Sequence, residues 1–235
     1  MKRRIYALDT IRGILILGVV LYHFLYDLSV FYNVSIPLLN AGWVRLLRDA
    51  GAGIFIFIAG ISCNLSSNNL RRGIIALIWG MVISVITYVF MPGQVIVFGI
   101  LHLIGTSILL YCLLPKKTET VEPRFGILFC MLCYLLFLPI RKIRIETGWY
   151  AARLVLFIAG FDTGLYSADY YPVIPWIFIF IGGTLMKKYV TNEYVCDKYY
   201  ENRFPVINAI GRNTLFIYIL HQPLLYLLLL LVEGV

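Results

Sequence analysis

Seven predominantly apolar runs divide the 235-residue chain, and each could cross a membrane as a helix. They cover approximately residues 10–30, 50–66, 74–91, 95–114, 125–140, 172–188 and 213–232. Backbone polar groups in lipid must be satisfied within the segment itself, so such runs predict helices. We therefore expect an all-α fold, a polytopic transmembrane helix bundle, with residues 1–235 forming a single integral membrane domain.

An eighth run, 149–166, contains Arg153 and Asp162, and its apolar part is better suited to a short or re-entrant helix. Lysine and arginine positions support this interpretation. With a cytoplasmic N-terminus, fourteen of the twenty basic residues lie inside if 149–166 does not cross, and nine if it does. The positive-inside rule therefore predicts about seven spanning helices plus one short helix, in a multi-pass protein of the cell membrane.

The composition indicates which classes of molecule the protein binds. Charged residues make up 14% of the chain, against about a quarter in a soluble domain. The net charge of +8 comes from basic residues between the apolar runs, where lipid headgroups explain them better than nucleic acid does. We expect membrane lipid as a partner and no nucleic acid, and a homo-oligomer is left open. Five cysteines, mostly within apolar runs, predict no disulfide framework.

Each of the three histidines lies within an apolar run. Under the topology above, His23, His102 and His221 fall between the middle and the outer half of the membrane, a depth that allows them to share one polar cavity. Ionisable residues at membrane depth are functional candidates. The alternative is that each only bonds a neighbouring helix. No spacing of histidines and carboxylates typical of a metal site is present, so no metal is expected.

Carboxylates near these runs allow two interpretations each. His23 and Asp27 are four residues apart on one helix face, so Asp27 is expected to orient His23, unless it lies among the outer headgroups. Asp9 and Arg12 are three apart, and they form an ion pair unless Arg12 faces a phosphate-bearing ligand. The stretch Asp169–Trp176, "DYYPVIPW", suits a sugar-like acceptor or an interfacial aromatic belt.

Six motifs occur in order over nearly the whole chain: "RxxALDxxRG", "YHFLYDL", "GAGIFIFIAGIS", "FGILHLIG", "DYYPVIPWIFIFIGG" and "GRNTLFIYILHQP". Together they resemble the catalytic-domain family of heparan-α-glucosaminide N-acetyltransferase, in its small prokaryotic branch. The opening motif also resembles the wider transmembrane acyltransferase group that includes the acyltransferase-3 family. The resemblance aligns His23 with the first-span histidine of that group. The chain differs from the animal enzyme. The proposed catalytic histidine of that enzyme lies in the loop after the first span, and the corresponding loop of this chain, 31–49, has no histidine.

The resemblance implies transfer of an acetyl or other acyl group from cytoplasmic acyl-CoA, as co-substrate, to an acceptor across the membrane. The acceptor would be an amine or hydroxyl of a sugar or glycolipid. His23 would be the general base or a transient acyl carrier, oriented by Asp27. His102, His221 or Gln222 would polarise the thioester carbonyl. Arg12, Arg71 and Arg72 would bind the phosphates of CoA. Asp169 and Trp176 would contact the acceptor. The alternative is a small transporter or lipid-binding protein whose histidines relay protons or bind headgroups.

Overall fold

The computed structural model describes residues 4–113, 122–191 and 196–233. Within these residues the chain forms ten α-helices joined by short loops and 3₁₀ turns. Their bounds are α1 Tyr6–Phe31, α2 Gly42–Leu65, α3 Asn69–Phe90, α4 Ile100–Leu113, α5 Pro123–Phe137, α6 Tyr150–Ala159, α7 Val173–Thr184, α8 Lys187–Thr191, α9 Pro205–Arg212 and α10 Thr214–Glu233. Outside the helices, the described residues form two isolated parallel bridges and no strand.

The expected all-α architecture of a helical membrane protein is confirmed. By length and composition, four described helices could each cross a membrane: α1, α2, α3, and α5 extended by its following 3₁₀ turn. Four further apolar helices are shorter, namely α4, α6, α7 and most of α10. The eighth run forms the ten-residue α6, as its interrupted apolar pattern predicts. Seven crossings and a cytoplasmic N-terminus stay predictions.

The run 95–114 is not one continuous helix, and that expectation was wrong. Residues 95–99 are not helical, and helix α4 begins at Ile100 with fourteen residues. The stretch Val95–Phe98 is rich in β-branched and aromatic side chains, which favour extended backbone. It pairs with the chain before α7, since the backbone N–H of Ala168 donates to Val95 and that of Tyr171 donates to Phe98. Neighbouring protein backbone therefore satisfies part of this non-helical segment, as an apolar environment requires.

The described residues divide into two compact units. The first comprises residues 4–55 and 196–233, so it holds α1, the beginning of α2, α9 and α10. Helix α1 packs on both α9 and α10. A methyl group on Gly211 would overlap the backbone carbonyl of Asp9, and one on Gly13 would overlap that of Ile207. Close backbone approach through small residues is a common way for membrane helices to associate.

The second unit comprises residues 56–113 and 122–191. Helix α3 packs along α4, α5 packs along α7, and α4 contacts α7. The part of α2 in this unit meets α7 through paired glycines: a methyl on Gly60 would overlap the carbonyl of Phe180, and one on Gly183 would overlap that of Phe57. Both units thus rely on glycine contacts between helices, while large apolar side chains cover their exposed surfaces. That a single membrane domain comprises both units stays a prediction.

Candidate active site

Helices α1 and α10 bring His23 and His221 together inside the first unit. The two imidazole centroids lie 5.0 Å apart with the rings at 62° to each other. His221 is buried, with 7% of its surface exposed. These two histidines lie in opposite halves of the sequence, which predicted a similar depth in the membrane for both but no contact between them. The structure therefore joins two of the three histidines that the sequence singled out.

The tautomer of His221 follows from its hydrogen bond. Its Nδ1 lies 2.7 Å from the backbone carbonyl oxygen of Tyr218, one turn earlier on α10. A carbonyl can only accept, so Nδ1 carries the proton and Nε2 of the neutral ring carries the lone pair. Nε2 is buried and has no hydrogen-bond partner among the described residues. His221 thus presents a basic nitrogen, fixed in orientation, that an N–H or O–H donor can occupy.

Asp27 and Gln222 form a second buried contact between the same helices. The Gln222 amide nitrogen donates to both carboxylate oxygens of Asp27, each at 3.0 Å. Only 1% of the surface of Asp27 is exposed. Because Gln222 Nε2 faces the carboxylate, its Oε1 points elsewhere, and this oxygen is also buried without a partner. His221 Nε2 and Gln222 Oε1, on consecutive residues of α10, are therefore two buried hydrogen-bond acceptors without a partner among the described residues.

Sequence reasoning expected Asp27 to orient His23, and the structure pairs it differently. In the described part of the chain, the hydrogen bonds of Asp27 come from Gln222, and none joins it to His23. An amide has N–H donors to offer a carboxylate and packs on it from the facing helix. The alternative that Asp27 lies among outer headgroups is wrong as well, since the side chain is buried. A catalytic role for Asp27 or His23 stays a prediction.

At the start of α1, Asp9 is buried and receives two arginines. Arg4 Nε donates to Asp9 at 2.6 Å, and Arg12 Nη1 lies 3.5 Å from the other oxygen. The hydrogen bond to Asp9 raises the pKa of the Arg4 guanidinium above its ordinary value. The ion pair proposed for Asp9 and Arg12 is therefore present. A contact between Arg12 and a ligand phosphate stays a prediction.

His102 belongs to the second unit, where both ring nitrogens have partners. Nδ1 accepts the Gly99 backbone N–H at 3.2 Å, so Nε2 carries the proton of the neutral ring and faces Ser84 Oγ at 3.3 Å. Ser84 in turn donates to the backbone carbonyl of Ile96. These bonds hold the extended segment before α4, which gives His102 a structural task. A catalytic role for His102 stays a prediction.

The residues predicted for the acceptor also lie in the second unit and have structural contacts. Asp169 accepts the backbone N–H of Ile100 at the first turn of α4, at 3.1 Å. Trp176 is 6% exposed and packs edge-on against Tyr134 and Tyr171. A tryptophan so buried in protein is not an interfacial belt residue. Their proposed contact with an acceptor stays a prediction.

Arg71 and Arg72 lie in the first turn of α3. The Arg72 guanidinium donates to the Ser62 carbonyl at 3.2 Å and to the Asn69 side chain at 2.9 Å, which ties α3 to the end of α2. The backbone N–H of Arg71 donates to the capping side chain of Asn68, and its own side chain is exposed. Binding of CoA phosphates by either arginine stays a prediction.

Two contacts that sequence reasoning missed support the first unit. Thr10 Oγ1 donates to Asn208 Oδ1 at 2.5 Å, and Asn208 Nδ2 donates to Asn202 at 2.6 Å. Asn208 is 1% exposed. A buried polar pair between α1 and α9 leaves no local pattern, although an asparagine in the apolar stretch "FPVINAIG" is a hint. Among the described residues, no group of three His, Cys, Asp or Glu side chains could hold a metal ion.

Comparison with known proteins agrees with the resemblance seen in the motifs. The family model described as "Heparan-alpha-glucosaminide N-acetyltransferase, catalytic" matches residues 4–223, which is nearly the whole chain. Neither the curated proteins nor the solved structures give a match. The matched range includes both histidines of the pair and the Asp27–Gln222 contact. With its apolar helices and a family match of this extent, the chain belongs to the heparan-alpha-glucosaminide N-acetyltransferase catalytic family and has a membrane acetyltransferase-type function.

Proposed function

We propose that the protein transfers an acetyl or related acyl group from cytoplasmic acyl-CoA to an amine or hydroxyl of a sugar or glycolipid acceptor on the outer side of the membrane. The family match supports acetyl transfer. The single observation that carries the site is the unpartnered, buried Nε2 of His221, whose ring contacts that of His23. Gln222, the next residue on α10, also has a buried oxygen, Oε1, without a partner. Two buried hydrogen-bond acceptors are a complementary environment for the amine or hydroxyl of a substrate, which brings N–H or O–H donors.

His221 is the general base in this mechanism. The nitrogen or oxygen of the acceptor attacks the thioester carbonyl carbon, a C–N or C–O bond forms, and the C–S bond breaks. Nε2 takes the proton from the attacking group and passes it to the departing thiolate, which leaves as free CoA. The Nδ1–H bond to the Tyr218 carbonyl holds the ring in the required tautomer.

His23 and Gln222 complete the site. His23, 5.0 Å from His221 between centroids, is the second imidazole and donates to the thioester oxygen as negative charge develops there. Gln222 is held by Asp27 and orients the acceptor through Oε1. Arg12, beside Asp9 at the start of α1, contacts the phosphates of CoA. The sequence assigned the base to His23, and the orphaned nitrogen favours His221 instead.

The test uses purified protein in nanodiscs with acetyl-CoA and glucosamine as the amine probe, following CoA release and acetylated product. His221→Asn keeps a side-chain N–H near the position of Nδ1 but removes Nε2. We expect it to unfold at a temperature close to that of the wild type and to lose transfer by about 10²–10⁴-fold. Arg144→Gln, an exposed residue paired with Glu146, is the matched control and should transfer normally.

Two results would contradict the assignment. Transfer by His221→Asn at the wild-type rate would remove His221 as the base. If wild-type protein neither bound acetyl-CoA nor released CoA at millimolar concentration, the acyltransferase proposal itself would fail, and a transporter or lipid-binding role would take its place.

A further inference from the structure

A cavity of about 310 Å³ lies in the second unit, at the end of α6, apart from the residues of the proposed mechanism. Its size is at the low end of the range for small-molecule sites, about 300–1,000 Å³. The 3₁₀ turn Leu138–Lys142 and the loop between α6 and α7 supply its walls. The lining groups used below are Arg141, Phe157, Asp162, Tyr166, Ser167 and Tyr170.

Tyr170 forms a preorganised aromatic wall of this cavity. Its ring stacks on Phe157 with centroids 4.2 Å apart, and its hydroxyl donates to the Phe157 carbonyl at 2.5 Å. The Arg141 guanidinium lies over the ring at 4.9 Å from the centroid. Burial raises the pKa of the Tyr170 phenol to about 12, with Arg141 lowering it and Asp162 raising it further. Both charged groups therefore influence the same phenol.

Asp162 is fixed in place by its backbone. Its N–H donates to Ile143 at 3.0 Å and its carbonyl accepts from Ile145 at 2.8 Å. One carboxylate oxygen accepts the Gly164 N–H at 2.9 Å. Ser167 lies on the same wall, and its hydroxyl accepts the backbone N–H of Val97 and donates to the backbone carbonyl of Asp169. It therefore contributes to the shape of the cavity without adding a charge.

Arg141 and Asp162 have opposite charges and line one cavity, yet they are not paired. In the described part of the chain, neither side chain forms an ion pair, and the Arg141 guanidinium makes no hydrogen bond. The guanidinium is a strong partner for phosphate or carboxylate. The second oxygen of Asp162 and the ring of Tyr166, which is 64% exposed, suit an ammonium group.

We propose that this cavity binds a zwitterion that carries a phosphate and an ammonium group on one short linker, the chemistry of a phosphoethanolamine headgroup. Arg141 binds the phosphate, Asp162 and the tyrosine rings bind the ammonium, and Phe157 supports the wall. A simple anion would face the Asp162 carboxylate, and a simple cation would face Arg141, so each alone is bound less well. The two sources of this chemistry are a membrane lipid and a free phosphoethanolamine.

Calorimetric titration of the full chain in phosphatidylglycerol nanodiscs with phosphoethanolamine tests the site. We expect wild type to bind, and Arg141→Gln and Asp162→Asn to weaken binding at least about tenfold each, since each removes a charge-assisted bond. Asn at 162 keeps an oxygen for the Gly164 N–H. Arg144→Gln, which changes an exposed arginine three residues from Arg141, is the control and should bind as wild type does.

Two further measurements use each charged half of the ligand alone and a variant of Tyr166. Inorganic phosphate and ethanolamine should each bind at least about tenfold more weakly than phosphoethanolamine. If either charge variant fails to fold, Tyr166→Ala, at an exposed ring, should still weaken binding several-fold. The proposal is overturned by no binding to wild type at millimolar concentration, by equal binding of inorganic phosphate, or by an equal loss in Arg144→Gln.

A lipid arm identifies the source. In phosphatidylethanolamine nanodiscs, a lipid occupant would block added phosphoethanolamine, which would bind only in phosphatidylglycerol discs. Equal binding in both discs would assign the site to the free molecule. Acetyl transfer can be measured in the same discs, so a failure of this site and a failure of the proposed chemistry are separate results.

Discussion

Exchanging the partners of the Asp27–Gln222 contact tests whether this buried pair holds α1 against α10. In Gln222→Glu, two carboxyl groups would face each other in a place where Asp27 is 1% exposed. In Asp27→Asn, the amide oxygen can still accept one of the two Gln222 bonds. The double variant Asp27→Asn, Gln222→Glu restores one amide and one carboxylate with their positions exchanged.

The magnitudes follow from the two bonds at 3.0 Å. A hydrogen bond to a charged group contributes about 1.5–3 kcal/mol, and one nitrogen shares both bonds here, so we expect Asp27→Asn to cost about 1–2 kcal/mol. Gln222→Glu leaves a buried carboxylate without a donor and should cost about 3–5 kcal/mol. The double variant should cost at least about 2 kcal/mol less than the sum of the single variants.

The free energy of unfolding would be measured for all four proteins in mixed micelles, by denaturation with sodium dodecyl sulfate followed by circular dichroism. Groups in direct contact give interaction energies of about 0.5–3 kcal/mol, whereas independent sites add to within about 0.5 kcal/mol. Additive costs in this cycle would refute the contact as a source of stability between the two helices.

Three further predictions concern stability. Gly211→Ala should lower the free energy of unfolding by about 3 kcal/mol because its methyl would overlap the Asp9 carbonyl, whereas Gly18→Ala, whose methyl meets open space, should not destabilise the protein. His102→Leu removes a ring whose two nitrogens both have partners and should cost about 1–3 kcal/mol, measured in the same assay. The pKa of Tyr170 is about 12 in the folded protein against 10 for a free phenol, so its contribution to stability is complete below pH 10 and is lost as the pH rises to 12. Tyr170→Phe should reduce the alkaline decline in unfolding free energy relative to wild type, and an equal decline in both proteins would contradict the burial of this phenol.

Hydropathy predicted the long helices because lipid restricts the backbone to structures that satisfy their own hydrogen bonds. Helices α1, α3 and α10 end close to the ends of their apolar runs. Helix α10 also begins with its run, whereas α1 and α3 begin earlier than theirs, at Tyr6 and Asn69. Helix α2 begins at Gly42, eight residues before its run, because a helix continues through Arg45, Arg48 and Asp49 where the side chains can reach water. Apolar content does not distinguish a helix from extended backbone paired with another segment, which is why 95–99 was assigned incorrectly.

For the site, the sequence supplied the residues but not their partners. His221 and Gln222 were both candidates, and depth along the helices gave His23 and His221 a similar expected level without predicting that their rings are in contact. The choice of Asp27 as the partner of His23 came from spacing within one helix, the only proximity that local sequence defines. Its actual partner is 195 residues away on α10, and that pairing depends on how the helices pack.

Building the His23–His221 pair from α1 and α10 has a consequence for biogenesis. The 195 residues that separate Asp27 from Gln222 take about 10–40 s to synthesise at 5–20 residues per second. During that interval α1 enters the membrane with a carboxyl group whose amide partner does not yet exist, at a cost of about 2.5–3.5 kcal/mol if the group were at the bilayer centre. In the proposed mechanism the site is therefore incomplete until α10 is synthesised, and the arrival of α10 also supplies the amide partner of the Asp27 carboxyl group.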